Sequence, residues 1–299
     1  MTELPDLTVV VPSYFSSKTL ERCLSSIKNQ NTQIHYTVLV FHSGHEPIPN
    51  YILNQFNNMN FHIVEDRWLP GRVRNWALHH AVTAWVLFVD ADCVLDLDYI
   101  ETMMSLAKKQ PIDGLGGCVR NENPCHIPGF VMHQLEFSEW MERGKLNTSK
   151  NFPTCNALYR RSALLDIGGF QEDVFPSEDT IANHLMTQSG YALLFFSGCG
   201  VHHIHQKSWW DVIRYNYLHG TTYGHASNKY NLQGHFLHTL PNLLTIGLVV
   251  GVRYFRITRR LVSHKRNEII PWIICTPYTL ICLFAWAIGF VQHEKYKES

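Results

Sequence analysis

Trp85-Val86-Leu87-Phe88-Val89-Asp90-Ala91-Asp92 is the stretch that decides how the rest of this chain is read. An unbroken apolar run leads directly into two carboxylates separated by one small residue. A run that apolar predicts a strand buried on both faces, as in parallel sheets covered by helices. Open α/β sheets place ligand sites at the carboxyl ends of their strands, which is where Asp90 and Asp92 fall. Two carboxylates there suit a hard divalent cation, and such a cation in turn holds a diphosphate. Alone, a D-x-D is short and common, and it reads equally as a strand ending in water.

Working outward, the chain opens with Leu7-Thr8-Val9-Val10-Val11-Pro12-Ser13-Tyr14, a buried strand stopped by proline. Leu20, Cys23, Leu24 and Ile27 follow at i, i+3, i+4 and i+7, one face of a helix, with Ser16 or Ser17 as its cap. Further strands are predicted at Tyr36 to Phe41 and at Phe61 to Val64. Gly71-Arg72-Val73-Arg74-Asn75-Trp76-Ala77 then opens a helix that feeds the Asp90 strand. Alternating strands and helices of this kind predict parallel βαβ units and an α/β fold, a single Rossmann-like domain.

With these segments in this order, residues 7 to 220 resemble the inverting glycosyltransferases of sequence family 2, which have the GT-A fold. Val9 to Tyr14 is similar to the family's V-V-V-P-x-Y, Gly71 to Asn75 to its G-x-x-x-A-R-N, and Asp90-Ala91-Asp92 to its D-x-D. Asn156-Ala157-Leu158-Tyr159-Arg160-Arg161 and Ile167-Gly168-Gly169-Phe170 resemble its acceptor-side segment, and Glu178-Asp179 its E-D motif. The resemblance implies a central, mostly parallel sheet flanked by helices, a nucleotide-diphosphate sugar donor and a divalent metal, Mn²⁺ or Mg²⁺. It further implies that Asp92 holds the cation, with Asp90 sharing it or binding the ribose. In Gly200-Val201-His202-His203-Ile204-His205, His203 best matches the position of a third metal ligand and His205 is the runner-up, in a chain whose 18 histidines make some clustering expected. Asp179 falls where the family keeps its general base, and Glu178 where it positions acceptor or base; both are also ordinary residues for a first helical turn.

Pro12, Tyr14, His42, Arg72, Arg74 and Asn75 lie on the segments expected to bind the donor, with both arginines at a helix start where anions are favoured. Asn156, Trp209 and Trp210 are the expected acceptor contacts; the aromatic run Trp209 to Tyr217 reads equally as an interfacial helix or as core. One departure stands out. Where the family carries D-D-x-S this chain has Val40-Phe41-His42-Ser43-Gly44, and Phe15 replaces the usual asparagine after Tyr14. Both changes fall on the nucleotide base, so the donor nucleotide is left open.

Lysine plus arginine balances aspartate plus glutamate at 25 each over 299 residues, which gives no sign of a nucleic-acid partner. The 8 cysteines include no C-x-x-C pair, against a zinc ribbon or a disulfide framework; Cys93 and Cys155 read as small buried hydrophobes. Met1 to Asp6 is short and acidic, unlike a signal peptide.

The carboxyl end differs in kind. Residues 269–291 hold no Asp, Glu, Lys, Arg or His, enough helix at about 1.5 Å per residue to cross a hydrocarbon core of about 30 Å. Pro271 and Pro277 would bend it. Leu240 to Val252 is short for a span, and the basic run from Arg253 to Arg266 between the two would break the positive-inside tendency if both crossed. The expected organisation is therefore a catalytic domain at 1–220, cytoplasmic, and a membrane-associated region at 221–299 with a transmembrane helix at 269–291 and an interfacial first stretch; a two-helix hairpin is the alternative. No Q-x-x-R-W follows, which favours addition of a single sugar to a lipid-linked or glycan acceptor over polymerisation. The competing readings are a catalytically silent GT-A module that organises a membrane glycan complex, and a sugar nucleotidyltransferase, whose glycine-rich start is missing here.

Overall fold

Val86 to Val89 are fully buried in a computed structural model that describes residues 5–296, and the strand they form lies inside the sheet. In chain order the strands are β1 (Leu7–Ser13), β2 (Tyr36–Ser43), β3 (Asn60–Val64), β4 (Trp85–Val89), β5 (Cys93–Leu95), β6 (Gly114–Asn121), β7 (Leu146–Thr148), β8 (Asn156–Arg160) and β9 (Leu193–His203). The helices are α1 (Leu20–Lys28), α2 (Asn50–Gln55), α3 (Pro70–His80), α4 (Tyr99–Lys109), α5 (Ile127–Phe137), α6 (Arg161–Asp166), α7 (Glu178–Gln188), α8 (Trp209–Tyr230), α9 (Asn242–His264), α10 (Ile269–Ile274) and α11 (Thr276–Val291). They divide into two units. The first takes residues up to Arg120, Glu142–Asp173 and Glu178–Ile204; the second takes Asn121–Met141, Val174–Ser177 and the chain from His205 on.

The first unit is an α/β layer structure around one sheet of order β3-β2-β1-β4-β8-β6-β9-β5, with β7 on β9. Strands β3, β2, β1 and β4 run parallel, as the βαβ pattern requires, and α1 buries Leu20, Cys23, Leu24 and Ile27, the face set by their spacing. Beyond β4 the pairing turns antiparallel, with Val89 opposite Asn156 on β8. Each large aliphatic chain buried here stabilises the unit by about 1.5–3 kcal/mol. The register at the far edge fixes the site. The backbone N–H of Cys93 bonds back to Asp90 O, a turn that carries Asp90-Ala91-Asp92 from β4 into β5. β5 then pairs antiparallel with β9, Cys93 opposite His203, and Ile204 N–H donates to Asp92 O at 2.8 Å.

The second unit is helical, around Trp272, Trp286, Phe290, Val212, Leu261 and their neighbours. α8 and α11 touch backbone to backbone. A Cβ on Gly220 would stand 1.9 Å from Trp286 O, and one on Gly289 would stand 2.1 Å from Tyr217 O, so only glycine fits at either place. The expected boundary at residue 220 thus falls inside one continuous helix, at a residue packed into the second unit's core. The ends of the two expected domains, residues 1–4 and 297–299, lie outside the described residues.

The expected transmembrane helix at 269–291 is not one helix. Its residues form α10 and α11, and the helical segments Arg266–Ile274 and Thr276–Val291 are bent by 80° at the break. Pro277, in the first turn of α11, has no N–H to give and its ring clashes with the carbonyl of residue i−4, which ends α10. Among the described residues no single helix is long and apolar enough to cross a membrane; only the bent pair together meets that length and composition.

Candidate active site

The centre of the site is a buried arginine between two motifs far apart in sequence. Arg74 on α3 is 3% exposed. Its Nη1 donates to Glu178 Oε1 at 2.5 Å and its Nη2 to Asp90 Oδ1 at 3.1 Å. The guanidinium thus ties the end of β4 to the start of α7. It bonds carboxylates where the sequence led us to expect a phosphate. Burial opposes its charge, but Asp90, Glu178 and Asp179 outweigh that and hold its pKa above the ordinary value. Burial pushes Glu178 up to about 7, against Arg74 and with help from Asp179. Asp90 is likewise raised, by burial first and by Asp92, with Arg74 opposing.

Next along the turn, Asp92 Oδ1 lies 3.4 Å from His203 Nε2. Ligand atoms of Asp92, Cys93 and His203 all fall within 4.8 Å of one another. Burial, then a bond to Cys155, keeps the Cys93 thiol far above its usual pKa, so it stays protonated. The two histidines belong to different units. His203 ends β9 opposite Cys93, whereas His205 belongs to the second unit, where its Nε2 lies 3.2 Å from His133 Nδ1.

Asp179 is half-buried at the first turn of α7. Thr180 N–H donates to its Oδ1 at 2.6 Å and Thr154 N–H to its Oδ2 at 3.3 Å, which fixes the carboxylate's orientation.

Other expected contacts are placed differently. Asn156 is 0% exposed; its amide donates to Cys118 O and accepts from Gly117 N–H, joining β8 to β6. It is a sheet residue rather than an acceptor contact. Asn75 is also buried: its amide bonds Phe170 on both sides and Glu172, which holds the Gly168-Gly169-Phe170 segment against α3. His42 is buried with Nδ1 on Ser13 Oγ and Nε2 on Glu46 O, so neither nitrogen points to a base, and Phe41 lies in the core. Trp209 and Trp210 are exposed at the start of α8, in the second unit, with Trp209 edge-on to Tyr278.

What does face outward on the donor segments is Tyr14, Phe15 and Arg72, with Pro12 half-buried at the end of β1. Arg72 stacks on Trp68, its Cζ 3.9 Å from the ring centre. One residue escaped the sequence reading: the exposed Arg67, whose guanidinium lies over the Tyr14 ring at 5.0 Å. The run Asp66-Arg67-Trp68, a cation beside an aromatic just before the motif helix, was the available signal.

A family model described as Glycosyl transferase family 2 matches residues 8–168. The chain belongs to that family. Among curated proteins it is similar to the glycosyltransferase AglE of Haloferax volcanii, 23% identical over 198 residues, which are 64% of this chain and 64% of that protein. It is similar too to the O-antigen chain rhamnosyltransferase WbaN of Salmonella anatum, 24% identical over 68% of this chain and 67% of that one. Among solved structures, the mannosyltransferase PcManGT of Pyrobaculum calidifontis, in complex with GDP-Man and Mn²⁺, superposes with a TM-score of 0.64 at 17% identity, covering 99% of this chain and 89% of its own. That likeness supports a GT-A-like fold.

Proposed function

We propose that this chain is a metal-dependent, inverting glycosyltransferase that moves one sugar from a nucleotide diphosphate onto a lipid-linked or glycan acceptor, at a membrane and with its catalytic unit in the cytoplasm. The single observation that carries the reading is the Asp90–Arg74–Glu178 bridge, with Asp92 of the same turn facing His203 at the end of β9. Family membership and the Mn²⁺ of a structural neighbour support it.

Asp92 and His203 fit a divalent cation. Their donor atoms lie 3.4 Å apart, near enough that both would reach one ion. A carboxylate with an imidazole suits Mn²⁺ better than Mg²⁺, which prefers oxygen alone. When bound, the cation supplies charge stabilisation for the departing diphosphate.

The protein's own groups do the rest. Arg72 adds charge-assisted bonds to phosphate, and Tyr14 with Arg67 offers a stacking face for the base where the family's acidic contact is missing. Asp179 accepts the proton of the acceptor hydroxyl as its oxygen bonds the anomeric carbon and the bond to the diphosphate breaks, with inversion. Glu178, held by Arg74, keeps α7 and hence Asp179 in place. Nucleoside diphosphate release from a panel of nucleotide sugars, with Mn²⁺ and with EDTA, tests this. Metal-dependent release is expected; donor binding with no release under any condition would leave a silent module.

A further inference from the structure

We infer that the second unit lies in the plane of an anionic bilayer, embedding one face of α9, α10 and α11 without crossing it. This deepens the membrane part of the reading above and stands apart from its catalytic part.

These helices are apolar on the wrong side as well as the right one. α9 buries Val249, Val250, Ile257 and Leu261 in the unit's core. Its opposite face carries Leu244, Leu248, Val252, Phe255 and Val262, all exposed, Phe255 at 66%. α10 is anchored by the buried Trp272 and leaves Ile270, Ile273 and Ile274 outside, the last at 72%. α11 exposes Pro277, Ile281, Phe284 and Ile288, spaced i, i+4, i+7 and i+11 along one stripe. Trp272 stacks on Tyr254 of α9 and bonds Thr258 there, and Tyr254 bonds Thr276, so the three helices are packed as neighbours. Singly exposed apolar residues are ordinary; three adjoining helices that each show an apolar stripe mark a surface meant to be covered.

Charge identifies the cover. Residues 240–292 carry Arg253, Arg256, Arg259, Arg260, Lys265 and Arg266 against one acid, Glu268, which is bonded to Gln134. Arg256 is exposed on α9 beside its apolar stripe, and Arg259 within it between Phe255 and Val262, where a long side chain carries its charge out to the headgroups. A second copy of the chain would meet this basic border with its own, whereas phosphate headgroups complement it. Trp209, edge-on to Tyr278 at the start of α11, and the exposed Trp210 add indoles of the kind that settle at headgroup depth. Interfacial helices of this sort sink their apolar face about 5–10 Å into the headgroup boundary, which the 80° bend permits and a straight span would not.

Flotation of the purified full chain with phosphatidylcholine vesicles, pure or mixed with phosphatidylglycerol, tests the inference. Binding to the mixed vesicles and release by alkaline carbonate are expected. I273S/I274S should weaken partitioning about ten-fold or more, and R256Q/R259Q about twenty-fold on the anionic vesicles alone, with thermal unfolding unchanged in both. Retention after carbonate would overturn the inference in favour of a span, as would equal binding to neutral vesicles, or a dimer in place of flotation that I273S/I274S dissolves. Flotation by a chain that turns over no donor would support it while removing the catalytic reading.

Discussion

The two units break the ordinary rule of burial in opposite senses. In the first, Arg74 and Glu178 are charged groups drawn into the interior, with Asp90 half-buried beside them at the end of β4. In the second, leucines, isoleucines and phenylalanines stand in the open along α9, α10 and α11. Each arrangement is unfavourable for a protein alone in water, the one through desolvation and the other through exposed apolar surface. The difference teaches that the two proposals rest on opposite observations: the catalytic one on charge held in the interior, the bilayer one on apolar area left outside.

The contrast breaks most sharply at Asp179. D179N should lower transfer by about 10²–10⁴-fold, the usual worth of a general base, while the donor Kd from titration calorimetry stays within about two-fold. A large loss of donor affinity would move Asp179 to the donor side. R74A comes next. It leaves Glu178 buried and Asp90 half-buried without their cation, and chemical denaturation should show a loss of about 3–5 kcal/mol. Replacing Arg74 by Met together with Glu178 by Leu should recover most of that stability but no activity.

A smaller effect follows from pH. Glu178 ionises near 7 in the folded protein and about 4.3 when unfolded, so between those values the native state holds the extra proton. Its contribution is complete below the unfolded value and is lost as pH rises through 7. Unfolding free energy should therefore slope downward across that window, and E178Q should flatten the slope. The smallest effect belongs to the other unit. I274S in free solution should change the unfolding free energy by no more than about 0.5 kcal/mol, because that side chain touches so little.

Much of this was legible in the chain because it rests on local pattern. The β4 run, the α1 spacing and the order of motifs needed no coordinates. Long-range pairing was not legible. Asn75 and Asn156 look like polar site residues until their partners are known, and those partners lie on segments far along the chain. His203 ends β9 opposite Cys93 while His205 already belongs to the second unit, a parting that two residues of sequence do not convey. In 269–291 length and apolarity were read correctly, but the break at Pro277 outweighed them. His42 occupied the expected place in the chain and a different place in space, since its ring completes a bond network with Ser13 and Glu46.

The guanidinium shared by β4 and α7 limits how this protein can be re-engineered. Swapping in the loop before α7 from a relative imports a new Glu178 environment, and Asp90 registers the change through the same cation. Chimeras cut between residues 90 and 178 should be built with Arg74 and both its carboxylates as one cassette. Those that split it should lose selectivity on the half that was never touched.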